Sequence, residues 1–177
     1  MRWIKSLFVV LVISPLASEA ADCTAMGIAP SSDESIAFTV NADGTAVDHH
    51  SGLMWMRCAL GQTWDRSQRR CNGTAFAMEW DRALVAVDVF NAEGGFAGFT
   101  DWRLPNINEL RSIVEDCRAH PAINTLIFPQ SPQKPFWSAS PYAVSGLQAW
   151  LVDFSLGRDN YDLKNRFNFV RLVRVAR

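Results

Sequence analysis

Beyond residue 20 the chain has no stretch near the ~20 consecutive apolar residues of a membrane helix, so no spanning helix is expected. Internal repeats and low-complexity tracts are absent too, which leaves one ordinary domain, large enough to bury its own core. There is no C-x-x-C pair, and His49, His50 and His120 fit no ligand spacing, which speaks against zinc. A basic excess is also missing. Without Arg2, Lys5 and Glu19, the 17 basic and 18 acidic residues become 15 and 17, a net charge near −2. That balance argues against nucleic acid as a partner.

What is present begins with an export signal. Arg2 and Lys5 precede the apolar run Leu7–Ile13, Pro15 breaks it, and Ser18-Glu19-Ala20 supplies the small residues a signal peptidase reads. Residues 1–20 are therefore expected to be removed. Residues 21–44 then form an N-terminal arm and first strand, and residues 45–177 the domain. All four cysteines lie in the exported part, where disulfides persist. Three pairings are open. Cys58 with Cys71 is the local option, and it leaves Cys23 with Cys117. A local loop of that size contributes about 3 kcal/mol in the chain-entropy model.

The hydrophobic period changes along the chain. Ile36–Val40 reads as a strand closed by Asn41-Ala42-Asp43-Gly44, and Thr45–Asp48 with Leu53–Cys58 as a hairpin. Ala59–Cys71 shows neither period and is expected to be a disulfide-closed loop. From Glu79 to Asn91, Trp80, Ala83, Leu84, Val87 and Phe90 mark one face of a helix, ended by Gly94-Gly95.

Thr100–Leu110 (T-D-W-R-L-P-N-I-N-E-L) packs a strand, a stop and a helix start together. Asn106 and Glu109 stand at capping-box spacing, and the second helix is expected from Ile107 to Asp116. In the proline-rich segment Ala119–Pro135, Ile123, Leu126, Ile127 and Phe128 are expected to peg the loop to the core. Strands at Phe136–Ser140, Ala149–Phe154 and Phe169–Val175 close the chain. Strands and helices do not alternate as βαβ units, so the class is α+β with a mainly antiparallel sheet.

Five stretches then carry a resemblance: G-L-M-W (Gly52–Trp55), T-D-W-R-L-P-N-x-N-E-L, F-W-S-A-S, A-W-x-V-x-F-x-x-G and V-R-L-V-R (Val170–Arg174). In this order they resemble the Lcl C-terminal-domain family, the module that ends a bacterial collagen-like adhesin. The run Arg57–Gly73 is similar to a cysteine-bearing branch of it. The resemblance implies a C-type-lectin-like fold, distantly similar to formylglycine-generating enzymes. Two helices would pack on small antiparallel sheets, with the N- and C-terminal strands paired. It also implies a place in the periplasm, on the surface or outside a bacterium. The adhesin's module is associated with trimers and sulfated glycosaminoglycans, but this chain has no Gly-X-Y stalk.

Three functions are weighed. The first is non-catalytic recognition of a glycan or a surface protein. Its candidates are Trp64, Arg66, Arg69 and Arg70 in the disulfide loop, with Arg158, Asn160, Tyr161, Lys164 and Arg166 before the last strand. Arginine suits sulfate because its planar fork donates two parallel hydrogen bonds. A calcium site at Asp159, Asn160 and Asp162 is a variant of this reading, although no E-P-N or W-N-D triplet is present. The second is catalysis like that of the formylglycine-generating relatives. No cysteine lies beyond Cys117 and no histidine stands near Ser138 or Ser140, so no enzyme activity is expected. The third is assembly within the bacterial envelope. Trp55, Asp101, Trp102, Arg103, Pro105, Glu109, Trp137, Trp150, Arg171 and Arg174 are expected to be structural. Arg171 or Arg174 would be the partners of the Trp102–Glu109 junction, and Arg103→Ala would unfold the domain or lower its yield, because a carboxylate would be left buried and unpaired.

Overall fold

The computed structural model describes residues 37–176. The expected signal segment and Cys23 lie outside the described residues. In chain order the elements are β1 (Phe38–Val40), β2 (Thr45–Asp48), β3 (Leu53–Met56), β4 (Thr63–Asp65), β5 (Arg70–Asn72) and β6 (Ala77–Met78). Then come α1 (Trp80–Ala92), α2 (Ile107–Arg111), β7 (Pro135–Pro141), β8 (Gln148–Asp153), β9 (Arg158–Leu163), β10 (Asn168–Phe169) and β11 (Val173–Val175). The class is α+β, as the element order of the sequence suggested. No helix among the described residues is long and apolar enough to cross a membrane.

One sheet runs β1-β2-β3-β11, a second β6-β10-β7-β8-β9, and β4 with β5 forms a separate hairpin. Every pairing is antiparallel except β10 with β7. The N-terminal hairpin is thus closed by the C-terminal strand, with Trp55 opposite Val173. Strand β3 is buried at all four residues. Its alternation sends Leu53 and Trp55 into one apolar cluster and Met54 and Met56 into the other, so it is the wall shared by both cores.

Helix α1 follows the expected face, with Trp80, Ala83 and Val87 buried. Gly95 is required at its end, because its φ is +61° and a Cβ there would meet the Phe99 carbonyl oxygen at 2.0 Å. Helix α2 is shorter than expected. Its capping box forms: Glu109 N–H donates to Asn106 Oδ1 at 2.9 Å, and Asn106 N–H to Glu109 Oε2 at 2.8 Å. At the other end, however, the Ser112 hydroxyl takes the Glu109 carbonyl, and Val114 bonds back to Arg111 in an i→i+3 turn. The α-helical ladder therefore stops at Arg111. In the long loop, Ile123, Ile127 and Phe128 are buried but Leu126 is 80% exposed, so it is no peg.

The Thr100–Leu110 stretch is a junction. Arg103 exchanges both backbone hydrogen bonds with Val173, and its guanidinium pairs with both Glu109 oxygens at 2.7 Å. Arg174 pairs instead with Asp101, at 2.6 and 3.1 Å, and lies 3.8 Å over Phe99. Trp102 and Trp137 are buried and donate to the Phe96 and Met78 carbonyls, while the Pro105 carbonyl accepts from Ala139. Of the two arginines expected at the junction, only Arg174 is there.

Arg103 is 43% exposed, and Glu109 keeps the Asn106 donor if Arg103 is lost, so the unfolding expected from Arg103→Ala softens to about 1 kcal/mol. The hydrogen bonds from Arg103 hold the Glu109 carboxyl below its ordinary value of 4.5, against the opposing effect of burial. A depressed carboxylate stabilises the fold above that ordinary value and loses its contribution as pH falls through the folded one. Glu109→Gln is therefore expected to lower stability by on the order of 1 kcal/mol at pH 7, and by little once the pH has fallen below the depressed folded value, as read by urea denaturation.

Candidate functional site

The disulfide Cys58–Cys71 forms, with its Cα atoms 5.5 Å apart. Cys117 is also disulfide-bonded, and Cys23, its expected partner, lies outside the described residues. The enclosed segment is not an irregular loop. It is the β4–β5 hairpin, with Trp64 opposite Cys71. Its strands of three residues are too short for a period to show. Asp65 makes the turn by accepting from Ser67 N–H at 2.9 Å, the Ser67 hydroxyl at 2.6 Å and Gln68 N–H at 3.0 Å. The Ser67 hydroxyl is the main cause that holds its carboxyl below the usual range. Asp65 is thereby engaged by the turn, and Arg66, Arg69 and Arg70 form no ion pair with the described residues. Arg69 sits in left-handed backbone, at φ 51°.

Against this hairpin lies a cleft of about 700 Å³. Its walls are Val40–Ala42 from the β1–β2 turn, Arg57, Trp64, Arg66 and Arg69, and Thr125, Leu126 and Pro129 from the long loop. Four of these residues carry an aromatic ring or a guanidinium group, and none is acidic. Arg70 is exposed on β5 and does not line the cleft.

Arg57, which the sequence did not single out, is the centre of the site. It is 4% exposed, and its guanidinium lies 4.2 Å over the Trp64 ring. Nε donates to the Ile127 carbonyl at 2.7 Å and Nη2 to the Leu126 carbonyl at 2.9 Å. Asn124 presents those carbonyls, because its side chain accepts from Leu126 and Ile127 N–H. Burial first, and the Arg69 charge second, push Arg57 below the usual arginine range.

Trp64 is not a free stacking surface. Arg57 covers it, its Nε1 donates to the Ala42 carbonyl at 3.0 Å, and a Cβ on Gly44 would meet its Cγ at 2.5 Å. The ring expected to stack on a sugar instead backs an arginine. The one available signal was the alternation of β3, which puts Arg57 on the Trp55 side with no nearby acid to neutralise it.

The second group of candidates lies elsewhere, on edge strand β9 and just beyond it. Tyr161 stacks on Tyr142 at 4.0 Å and meets Trp150 edge-on. Lys164 sits 4.3 Å over Trp80 and lines a different cleft with Glu79 and Asp81. Arg158, Asn160 and Arg166 are exposed. The two groups therefore belong to different sheets and different clefts and do not converge. The calcium candidates are not brought together either. Asp159 faces Arg111 at 3.7 Å, whereas Asp162 accepts from Asn168, and residues three apart in a strand point to opposite faces.

Fold and cleft together define a small disulfide-stapled α+β domain with a cationic recess between a hairpin and a long loop. Residues 44–174 match the sequence model of the Lcl C-terminal domain, and the chain belongs to that family. None of the curated proteins compared with it matches.

Proposed function

We propose that the chain is an exported, non-catalytic recognition module that binds acidic, sulfated glycans in the Arg57 cleft and serves adhesion. The observation that carries this is the convergence of Arg57, Arg66 and Arg69 on one recess whose lining contains no carboxylate. Such a recess concentrates positive field in a chain of net charge −1. Two features support the reading. The stapled hairpin fits an oxidising compartment, and the closure of the N-terminal hairpin by β11 fits a C-type-lectin-like arrangement.

A second reading, assembly with another envelope protein, is favoured by Val85 and Val89, which stand 61% and 49% exposed on α1. The two separate on a heparin column with a desulfated control. Sulfate-dependent retention that falls steeply with salt supports glycan binding. Equal passage through both columns removes it in favour of the protein partner.

A further inference from the structure

We propose that Arg57 selects the anion in this cleft, taking a sulfate ester in preference to a carboxylate. The inference rests on the reading that the cleft binds acidic glycans. Arg57 combines two properties that rarely meet: it is 96% buried, and it has no carboxylate partner. Its side-on edge, Nε with Nη2, is used by the Ile127 and Leu126 carbonyls at 2.7 and 2.9 Å. The end-on edge through Nη1 donates to no described atom, while the residue lines the cleft.

That edge is held in a fixed plane. Trp64 lies 4.2 Å beneath the guanidinium, and the two carbonyls fix its rotation. The charge is also under strain, because burial and the Arg69 cation both act against it, so an anion at Nη1 relieves both. Geometry then separates the anions. A carboxylate has two oxygens in one plane, and the Arg57 edge uses both. A sulfate ester has three free oxygens, so two can meet Arg57 while the third reaches Arg69 on the rim. Arg57 thus orients the head group by two of its oxygens and presents the third to Arg69, with Arg66 supplying general attraction.

The test uses small anions, so that chain length and multivalency play no part. The oxidised, ¹⁵N-labelled protein is titrated with methyl sulfate and with acetate at equal ionic strength. The Arg57 Nε–H and Trp64 Nε1–H resonances are followed. Methyl sulfate is expected to move both saturably, with acetate weaker by roughly tenfold. Arg57→Lys keeps a charge without the fork and is expected to bring the two anions within about twofold of each other. If Arg57→Lys fails to fold, the wild-type preference still decides. Equal affinities, or shifts that leave Arg57 and Trp64 unmoved, overturn the inference. Sulfate-dependent heparin retention together with equal small-anion affinities would sink this selection alone, whereas loss of retention would sink the reading of the cleft.

Discussion

Replacing Arg171 by alanine is expected to lower the melting temperature by on the order of 10 °C, the largest stability effect of any single substitution considered. Arg171 is fully buried, and no acid neutralises it. Its Nη1 donates to the Met56 and Arg57 carbonyls at 3.0 and 2.5 Å, and its Nη2 to the Ser131 hydroxyl at 2.8 Å. The guanidinium lies 4.8 Å over Phe128 and 5.5 Å over Phe136. Burial pushes it down to about 9, which still leaves it protonated at neutral pH.

Alanine would orphan three buried acceptors and open a cavity between two rings, a loss of about 3–5 kcal/mol. Against a total stability of roughly 5–15 kcal/mol, that is a large share. Arg171→Met fills the space but leaves the acceptors unpaired, and it is expected to recover part of the loss. Scanning calorimetry decides the matter. A melting temperature within ~2 °C of wild type for Arg171→Ala would show that these bonds contribute little.

The same side chain ties the fold to the cleft. Arg171 holds the Arg57 carbonyl, and the Arg57 side chain in turn holds the Leu126 and Ile127 carbonyls. The closing V-R-L-V-R motif thus has two structural arginines with different tasks. Arg174 fastens the Thr100–Leu110 junction through Asp101, and Arg171 fixes the backbone from which Arg57 enters the recess.

The second large effect is on binding. Arg66→Ala combined with Arg69→Gly is expected to weaken affinity for heparin by about thirtyfold, at roughly 1 kcal/mol per rim arginine, with a melting temperature within ~2 °C of wild type. Glycine at position 69 removes the charge and also relieves the left-handed strain that arginine already bears at φ 51°, so a loss of binding there is not a loss of fold. Both side chains are exposed and without ion pairs, so the fold has no stake in them. Retention equal to wild type would remove the hairpin from the site. A matching loss of melting temperature would mean that the arginines support the structure.

Much of the framework was legible in the residues. The α1 face, the β2–β3 hairpin and the Asn106–Glu109 capping box are set by local spacing, and local spacing is what a sequence displays. Ile113 and Val114 keep a helical period after the Ser112 hydroxyl has taken the Glu109 carbonyl, so the period overstates the length of the second helix. The hairpin within Ala59–Cys71 was invisible because three-residue strands carry no period.

The site was half legible. Arg66 and Arg69 stood out as unpaired charges near a cysteine. Arg57 did not, because the carbonyls that fix it come from Leu126 and Ile127, 69 and 70 positions away. The packing of Trp64 is hidden in the sequence for a related reason. Nothing local shows that Gly44 and Arg57 enclose its ring. The β9 group looked as good in sequence as the hairpin group, and only topology separates an edge strand from a recess.

The most direct test of the central claim is a backbone ¹⁵N chemical-shift map of the oxidised domain titrated with a defined sulfated hexasaccharide. Perturbations are expected at residues 57, 64–69 and 125–129, with residues 158–166 unmoved. Shifts confined to residues 158–166, with the Arg57 cleft silent, would contradict it.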